Sequence, residues 1–310
     1  MPDRLALTGA NGFVGRHLTA FAALRAWEVV GIVRSPAGAE VVRQAGGRPV
    51  VVPDLAGPSF AQALAGAGAA VHLAHIGSEK GGATYEAVNV EGTRRFVRAA
   101  REAGVERVIL FSGLGVARYG LAPRVTNRYF LSKLAAEVEL FRSDRQAVVF
   151  RPSYIVGPGD GLLSVLLDGL AGRGLDVPGD GRYRMQPVFV NDAAGAVLAA
   201  ATVPVPAPPA PPHRVLDLVG PEPVSYRELI ARVAQAARAS GRPVKGRVRG
   251  VPVGEAERQA RAGGFLGMGS DALDCLLCDE VADPTPLASL LGRPLTPLAD
   301  ALAAAVSGAA

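Results

Sequence analysis

Short apolar runs alternate with helical patterns through the first half of this 310-residue chain, and that alternation constrains its fold most strongly. The runs are rich in Val, Ile and Leu without polar alternation, which is typical of strands buried on both faces of a parallel sheet. The predicted strands are Leu5–Thr8, Glu28–Val33, Pro49–Val52, Ala70–Ala74, Val108–Phe111 and Val148–Phe150. The helical patterns between them include Phe13–Leu24, Tyr85–Ala103 and Asn127–Phe141. This order predicts an α/β fold with a doubly wound parallel sheet of the Rossmann type.

The alternation loosens after Arg151, where a smaller C-terminal lobe is expected. A further strand is predicted at Val215–Val219, and a helix at Ser225–Ala239 with Ser225 as its N-cap. The proline cluster Val203–Pro212 is expected to be an exposed connector. We assign residues 1–153 to the Rossmann core, with 187–220 returning to it, and residues 154–186 and 221–310 to the smaller lobe.

A glycine-rich loop, Thr8–Gly15, links the first predicted strand to the first predicted helix. In such a loop one glycine permits a tight turn, one lets a pyrophosphate approach the backbone, and one lets the helix pack closely. The helix N-terminus then offers free N–H groups and a partial positive charge to phosphates. The loop therefore predicts a dinucleotide site, with a plain strand–helix turn as the alternative. The predicted cofactor contacts here are Gly9, Asn11, Gly12, Phe13, Val14, Gly15 and Arg16.

The end of the second predicted strand indicates which dinucleotide binds. NAD-binding proteins of this plan place an Asp or Glu about 20 residues after the glycine loop, where it binds the ribose 2′-hydroxyl. This chain has Arg34 near that position and no acid. A guanidinium can pair with a 2′-phosphate through charge-assisted hydrogen bonds, and Arg16 could join it. The sequence therefore favours NADP over NAD, unless both arginines are solvated surface residues.

Tyr129 and Lys133 lie four positions apart in a predicted helix and so share one helix face. This pair suits proton transfer to or from a carbonyl or alcohol oxygen. A free phenol titrates near pH 10, and a neighbouring ammonium and the nicotinamide charge would lower its pKa toward the working range. The pair predicts an acid–base site, with an ordinary amphipathic helix as the alternative.

Composition excludes several other classes of protein. The formal net charge is +5, but the Lys and Arg residues are scattered and no nucleic-acid-reading motif is present. We find neither a signal peptide nor an apolar stretch of the ~18 residues that a membrane span needs. Cys275 and Cys278 form a single CxxC without further ligands, so ordinary thiols are favoured over a zinc site or a redox pair. We expect a cytoplasmic protein with a small-molecule substrate, either a monomer or a homodimer.

Taken together, the glycine loop and the Tyr129–Lys133 pair resemble the short-chain dehydrogenase/reductase superfamily. The chain length is similar to that of the extended or atypical branch of this superfamily, which is NAD-dependent epimerase/dehydratase-like. Within that branch, the motifs look most like the group related to the NAD(P)H-binding accessory subunit of respiratory complex I. Further matching segments are Asp54–Leu55, His72–His75, Asn89–Thr93, Arg151–Tyr154, Gly157–Asp160, Gln186–Asp192 and Gly220–Leu229.

This resemblance implies roles for several residues. It implies that Tyr129 and Lys133 both contact the cofactor, and that Lys133 binds the nicotinamide ribose in addition to lowering the pKa of Tyr129. The other cofactor contacts that it implies are Asp54 and Leu55 at the adenine, Leu73, Ala74 and His75 beside the cofactor, and Pro152 under the nicotinamide.

Two departures from the family pattern bear on activity. The extended members carry S-x-x-V, and Val116 puts Gly113 at the serine position, one residue after Ser112. Adjacent side chains on a strand face opposite sides, so both a catalytic and a structural role stay open for Ser112. The chain also has Met185–Pro187 where nucleotide-sugar enzymes carry an RDF-like motif, with Arg184 out of register, which disfavours a nucleotide-sugar substrate.

These features favour an NADP-dependent oxidoreductase that acts on an alcohol or carbonyl of a small, mostly apolar substrate. Tyr129 would transfer the proton, and Ser112 or a backbone N–H near Gly113 would hold the substrate oxygen. The smaller lobe would be the substrate lobe and would close over this substrate. The alternatives are an epimerase or dehydratase that uses bound nicotinamide transiently, and a non-catalytic NADPH-binding structural or sensor protein.

Overall fold

The computed structural model describes residues 3–54, 57–204, 213–262 and 264–308. Its strands are β1 (Arg4–Thr8), β2 (Glu28–Val33), β3 (Arg48–Val51), β4 (Ala69–His72), β5 (Arg107–Phe111), β6 (Gln146–Pro152), β7 (Ile155–Val156), β8 (Leu175–Pro178), β9 (Arg184–Met185), β10 (Val188–Phe189), β11 (His213–Leu218), β12 (Val224–Ser225) and β13 (Val248–Val251).

The helices surround these strands. They are α1 (Phe13–Ala23), α2 (Pro36–Gln44), α3 (Pro58–Leu64), α4 (Glu91–Glu102), α5 (Arg128–Phe141), α6 (Gly161–Asp168), α7 (Val190–Thr202), α8 (Tyr226–Ala239), α9 (Val253–Arg261), α10 (Ser270–Leu277), α11 (Thr285–Leu291) and α12 (Leu298–Ser307). Shorter helical turns are the π-helical Glu86–Val90 and Gly169–Arg173 and the 3₁₀ turn Leu114–Arg118.

The central sheet of the described chain has seven strands in the order β11-β6-β5-β4-β1-β2-β3. Every neighbouring pair in it is parallel. Strands β2 and β3 lie on one side of β1, and β4, β5 and β6 lie on the other, so the strand order reverses between β1 and β4. Open α/β sheets bind ligands at such a point, at the carboxyl ends of the strands. The predicted Rossmann-type α/β fold is confirmed.

Both faces of the sheet are buried, which explains why its strands lack polar alternation. Successive side chains of a strand point to opposite faces. Leu5 and Leu7 of β1 accordingly pack in the cluster shared with α1 and α7. Ala6, between them, packs in the cluster on the other face together with Phe60 of α3 and Phe96 of α4.

A second apolar cluster is built from segments outside the central sheet. It joins α6, α8 and α12, with Tyr226 and Leu229 among its fully buried members. Helix α8 begins with the predicted cap: Ser225 Oγ accepts the N–H of Glu228 at 3.2 Å, and the Glu228 carboxylate accepts the N–H of Ser225 at 2.7 Å. The division of the chain into two lobes at residues 153, 187 and 220 stays a prediction.

The structure corrects two element boundaries. Strand β4 ends at His72 rather than at Ala74, because the next two residues turn across the glycine loop; a Cβ on Gly9 would lie 2.8 Å from the Ala74 nitrogen. The predicted helix Tyr85–Ala103 is divided into a π-helical turn and α4.

Two of the sequence predictions, the adenine contact of Leu55 and most of the proline cluster (205–212), concern residues outside the described ranges. Among the helices that the structure describes, none is long and apolar enough to cross a bilayer.

Candidate functional site

The glycine loop has the geometry that a dinucleotide site requires. Gly9 adopts a φ of +69°, a left-handed conformation that favours glycine. A Cβ on Gly15 would overlap the carbonyl oxygen of Gly9 and lie 2.7 Å from the Cα of Ala10, so only glycine lets α1 approach the loop. Gly12 caps α1 without any side-chain hydrogen bond, which leaves the first N–H groups of the helix available to a phosphate.

A cavity of about 510 Å³ opens at the carboxyl ends of β1, β2 and β4, directly above this loop. Its size falls within the range of cofactor sites. The predicted cofactor contacts among its walls are Gly9, Asn11, Gly12, Phe13, Arg34, Asp54, Leu73, Ala74 and His75. The close-packed glycines, the free helix terminus and this cavity together fit a dinucleotide.

Two arginines line the cavity. Arg34 follows β2, is exposed, and forms no ion pair within the described residues. The next residue, Ser35, caps α2 by accepting the N–H of Gly38 at 3.2 Å. Arg95 of α4 also lines the cavity, with its Nε 2.9 Å from the Glu91 carboxylate. Sequence reasoning missed Arg95, since only the packing of α4 against the strand ends brings it there.

Other predicted cofactor contacts are not among the cavity walls. The Arg16 guanidinium donates to the carbonyls of Pro158 and Gly159 at 3.2 and 2.9 Å, so it is already engaged by backbone groups. Gly15 packs against the loop as described, and Val14 packs against the central core. Pro152 ends β6.

Lys133 is buried on α5 and is tied to the end of β5. Its Nζ donates to the carbonyl of Phe111 at 2.6 Å. Burial lowers the pKa of Lys133 to about 8, although the Glu137 carboxylate one turn along the helix opposes the shift. Arg151 donates two hydrogen bonds to Glu137, at 2.9 and 2.6 Å, and so fixes that carboxylate. This geometry places an ammonium with a lowered pKa beside the end of β5.

Tyr129 lies one turn before Lys133, and Asn127 caps their helix by accepting the N–H of Phe130 at 3.0 Å. The Tyr129 ring packs against Tyr85, with centroids 5.9 Å apart. Burial raises the pKa of the Tyr129 phenol, and Cys275, Glu280 and Tyr85 add to the shift. The net shift is therefore upward, opposite to the lowering expected from Lys133, because burial of the phenol dominates.

Ser112 and Gly113 occupy the end of β5, where the sequence left the catalytic serine open. Ser112 is buried, its N–H donates to the carbonyl of Phe150 at 2.8 Å, and its Oγ has no partner among the described residues. Gly113 is extended, with φ −154° and ψ 145°, and a Cβ there would meet no atom within 4 Å. The position that carries serine in the extended members therefore has room for a side chain.

Polar groups beneath the cavity hold its floor in place. The Nδ1 of His72 lies 2.7 Å from the Thr8 hydroxyl, and the imidazole stacks on Phe96 at 4.6 Å. Burial lowers the pKa of His72 to about 3, so this imidazole is neutral. His75 is accessible from the cavity, and the Lys133 ammonium holds the pKa of His75 below its usual range.

Asn89 connects the loop after β4 to the helix that carries Tyr129. Its amide exchanges hydrogen bonds with the backbone of Ile76, at 2.8 and 3.1 Å, and donates to Ser132 Oγ at 2.9 Å. The π-helical turn around Asn89 lets one side chain serve both neighbours. Asn89 is therefore a positioning residue for α5.

Helix α10 lies over Tyr129 and is anchored to the Rossmann side. The Asp271 carboxylate accepts from the Tyr85 hydroxyl at 2.7 Å, and its backbone carbonyl accepts from Asn127 at 3.3 Å. Cys275 and Cys278 of this segment are free thiols, and burial raises the pKa of both, that of Cys278 to about 12. High pKa values make these thiols unreactive.

A protein-family sequence model, described as the NAD dependent epimerase/dehydratase family, matches residues 5–210 of the chain. The chain belongs to this family. The predicted resemblance to the extended, epimerase/dehydratase-like branch and the predicted enzyme class are thereby confirmed, and the family is NAD-dependent. The finer resemblance to the complex I accessory subunit stays a prediction.

Among curated proteins, the chain is similar to the ceramide reductase of Caulobacter vibrioides, with 34% identity over 203 residues that cover 65% of this chain and 62% of that protein. It is also similar to the 3-beta-hydroxysteroid dehydrogenase of Mycolicibacterium neoaurum, with 29% identity over 234 residues that cover 67% of this chain and 63% of that protein. The matched stretch thus spans less than two thirds of either relative.

Solved structures support the fold over nearly the whole chain. The UDP-glucuronic acid 4-epimerase from Bacillus cereus, in complex with UDP-glucuronic acid and NAD, superposes with a TM-score of 0.74. The superposition covers 99% of this chain and 98% of that one at 19% identity. At this level of identity the likeness shows the fold alone.

Replacing Gly15 by Ala should damage the loop. The new Cβ would meet the backbone of Gly9 and Ala10, which cannot move aside as a flexible side chain would. We expect the free energy of unfolding to fall by about 1–3 kcal/mol, measured by urea denaturation. The control Gly113→Ala meets open space and should change it by less than about 0.5 kcal/mol. Equal losses in both variants would contradict the close-packing argument.

Proposed function

We propose that this protein is an NADP-dependent reductase of a ketone or aldehyde in a small, mostly apolar substrate, acting in the cytoplasm. The observation that carries the proposal is the placement of Tyr129 and Lys133 on one face of α5, in a chain whose glycine loop opens a dinucleotide-sized cavity lined by Arg34. The smaller lobe, at residues 154–186 and 221–310, would hold the substrate.

The preference for NADP rests on charge at the end of β2. Arg34 has no acidic partner among the described residues, and the N-terminus of α2 follows it directly. Both features attract a 2′-phosphate. Arg95 lines the same cavity and adds a second guanidinium. The glycine loop and the N-terminus of α1 would hold the pyrophosphate.

The substrate class is inferred from the apolar surroundings of Tyr129 and from the relatives. Val116, Val125 and Phe130 form an apolar cluster that Tyr129 packs against. Two relatives are named for a ceramide and a 3-beta-hydroxysteroid, which are both apolar compounds. Arg184 donates to the Asp279 carboxylate at 2.9 and 3.1 Å, so this guanidinium is already engaged and offers little to a nucleotide-sugar phosphate.

The bound nicotinamide would supply the hydride and, when oxidised, a positive charge. Tyr129 would donate its phenolic proton to the substrate oxygen. The Lys133 ammonium would hold the nicotinamide ribose and keep a positive charge close to the reacting atoms. The open space at Gly113 would admit the substrate oxygen, where the backbone N–H groups of the turn after β5 could bind it.

The second candidate is a protein that binds NADPH without catalysis. Gly113 at the serine position, together with the buried Ser112 hydroxyl, favours it. The third candidate function is that of an epimerase or dehydratase.

The deciding experiment mixes the purified protein with NADPH or NADH and a panel of apolar ketones and aldehydes. We expect loss of NADPH absorbance with stoichiometric formation of the alcohol, and slower turnover with NADH. Tight NADPH binding without turnover on any compound would reject the reductase in favour of the non-catalytic protein. Substrate isomerisation without net NADPH loss would favour the epimerase.

The pH dependence of kcat should reflect the buried ammonium. Lys133 has a lowered pKa of about 8, so its charge is present below that pH and is lost as the pH rises through it. We expect kcat to fall above about pH 8, approaching tenfold per pH unit. Lys133→Arg, which stays charged at every pH used, should flatten this limb even if its absolute rate is lower. A kcat that is flat to pH 10 in the unmodified enzyme would show that the ammonium charge does not contribute.

A further inference from the structure

Glu280 lies three residues beyond the end of α10, and its backbone is held by hydrogen bonds. Its N–H donates to the carbonyl of Arg184 at 2.8 Å, and its own carbonyl accepts from the Ser153 hydroxyl at 3.1 Å. A bridge to Met185 of β9 completes the anchoring. These contacts join three separate segments, so the position of the side chain is set by the fold rather than by a flexible loop.

The Glu280 carboxyl reaches the end of β5, beside Tyr129. The N–H of Gly115 donates to it, and it acts electrostatically on both Tyr129 and Cys275. Tyr129, Cys275 and Glu280 each keep accessible surface although protein atoms surround their polar groups. We call these three partly exposed side chains the Tyr129 group.

The cations near the Tyr129 group have other partners. Arg124 pairs with Glu257 and Asp274 at 2.8 and 3.0 Å, and Arg184 pairs with Asp279. Arg118 acts on Glu280 only at longer range, and the remaining titratable neighbours, Tyr129, Cys275 and Cys278, are uncharged near neutral pH. Within the described residues, Glu280 therefore forms no ion pair.

A carboxyl in such surroundings takes up a proton. Desolvation penalises the charged form unless a cation compensates, and here the compensation is weak. Burial raises the pKa of Glu280 to about 8, while Arg118 and the N–H of Gly115 oppose the shift. Near pH 7 the group therefore carries a hydroxyl hydrogen and can donate a hydrogen bond as well as accept one.

We infer that Glu280 binds the substrate, donating a hydrogen bond from its uncharged carboxyl to a second, neutral oxygen near the carbonyl that Tyr129 protonates. The inference rests on the proposed reductase function and narrows its substrates. It selects apolar ketones that carry a hydroxyl, ether or amide oxygen over plain hydrocarbon ketones. It disfavours substrates with a carboxylate at this place, because their charge would be desolvated without a partner.

The protonated state can be tested without any substrate. Dicyclohexylcarbodiimide, an apolar reagent, adds to protonated carboxyl groups, and mass spectrometry of peptides locates the adduct. We expect labelling of Glu280 at pH 6–7 that declines above about pH 8. Glu257, held by Arg124, is the internal control and should stay unlabelled. An unlabelled Glu280 at pH 6, in a sample where its peptide is detected, would overturn the inference.

The contact to the substrate is tested with pairs of methyl ketones of one chain length, with and without a hydroxyl group near the carbonyl. In the unmodified enzyme we expect the hydroxylated ketone to have a roughly tenfold lower KM. Glu280→Gln keeps an uncharged donor and should keep the preference, whereas Glu280→Leu should lose it, so that the two ketones of a pair have the same KM. A preference that survives in Glu280→Leu would overturn the proposed contact.

The two arms separate failure of this inference from failure of the proposed function. Labelling of Glu280 without reduction of any ketone would reject the reductase and, with it, the substrate contact. Reduction of ketones without labelling would keep the reductase and reject the role of Glu280. Glu280→Gln also serves as the folded control if Glu280→Leu fails to fold.

Discussion

Tyr129→Phe should lower kcat for ketone reduction by about 10²–10⁴-fold, the range typical for loss of a positioned proton donor. The change removes only the phenolic oxygen, which makes no hydrogen bond to the described residues. The ring contacts with Tyr85 and Phe130 are retained, so the fold and the dinucleotide cavity should be unchanged. Turnover is followed by NADPH absorbance, and cofactor affinity by titration of NADPH fluorescence.

Tyr119→Phe is the matched control. Its hydroxyl lies 3.5 Å from the carbonyl of Thr126, a contact too long to contribute much, and the residue belongs to the same apolar cluster as Tyr129. We expect this variant to keep nearly full activity. If Tyr129→Phe retained turnover as well, another group would have to donate the proton. If it lost NADPH binding instead, Tyr129 would be a cofactor contact rather than an acid.

The parts of the fold that the sequence predicts are those specified by local pattern. The strands that bury both faces, and the glycine loop that closes β1, each follow from residues adjacent in the chain. Ser225 and Asn127 likewise cap their helices through residues three positions along. Boundaries were less accurate where distant segments meet, as at His72, where β4 ends because the following backbone packs on Gly9.

The electrostatics of the site depend on contacts that no local pattern contains. Lys133 shares a helix face with Tyr129 and is expected to lower its pKa, yet burial of the phenol raises that pKa instead. The Lys133 ammonium itself donates to the carbonyl of Phe111, 22 positions earlier. Arg16 follows the glycine loop, but its guanidinium donates a hydrogen bond to the carbonyl of Gly159, 143 positions away. Glu280 reaches Tyr129 only through the packing of α10. Burial and long-range partners thus decide charge states that motif spacing leaves open.

Arg34→Ala should change the choice of cofactor rather than the chemistry. A charge-assisted hydrogen bond contributes about 1.5–3 kcal/mol, so KM for NADPH should rise about 10- to 100-fold. KM for NADH should hardly change, since NADH lacks the 2′-phosphate that the guanidinium would bind. Both constants are obtained from initial rates at saturating ketone.

Arg43→Ala is a suitable control, because Arg43 lies on α2, is exposed and pairs with Glu40 at 2.9 Å. It removes the same charge from the same region of the surface, so a general electrostatic effect would appear in both variants.

Arg34→Asp is a sharper test of the cofactor preference. An acid at this position should repel the 2′-phosphate of NADPH and can accept a hydrogen bond from the ribose 2′-hydroxyl of NADH. Equal losses for NADPH and NADH in Arg34→Ala would contradict the NADP assignment. They would leave Arg95, the other guanidinium in the cavity, as the next residue to replace.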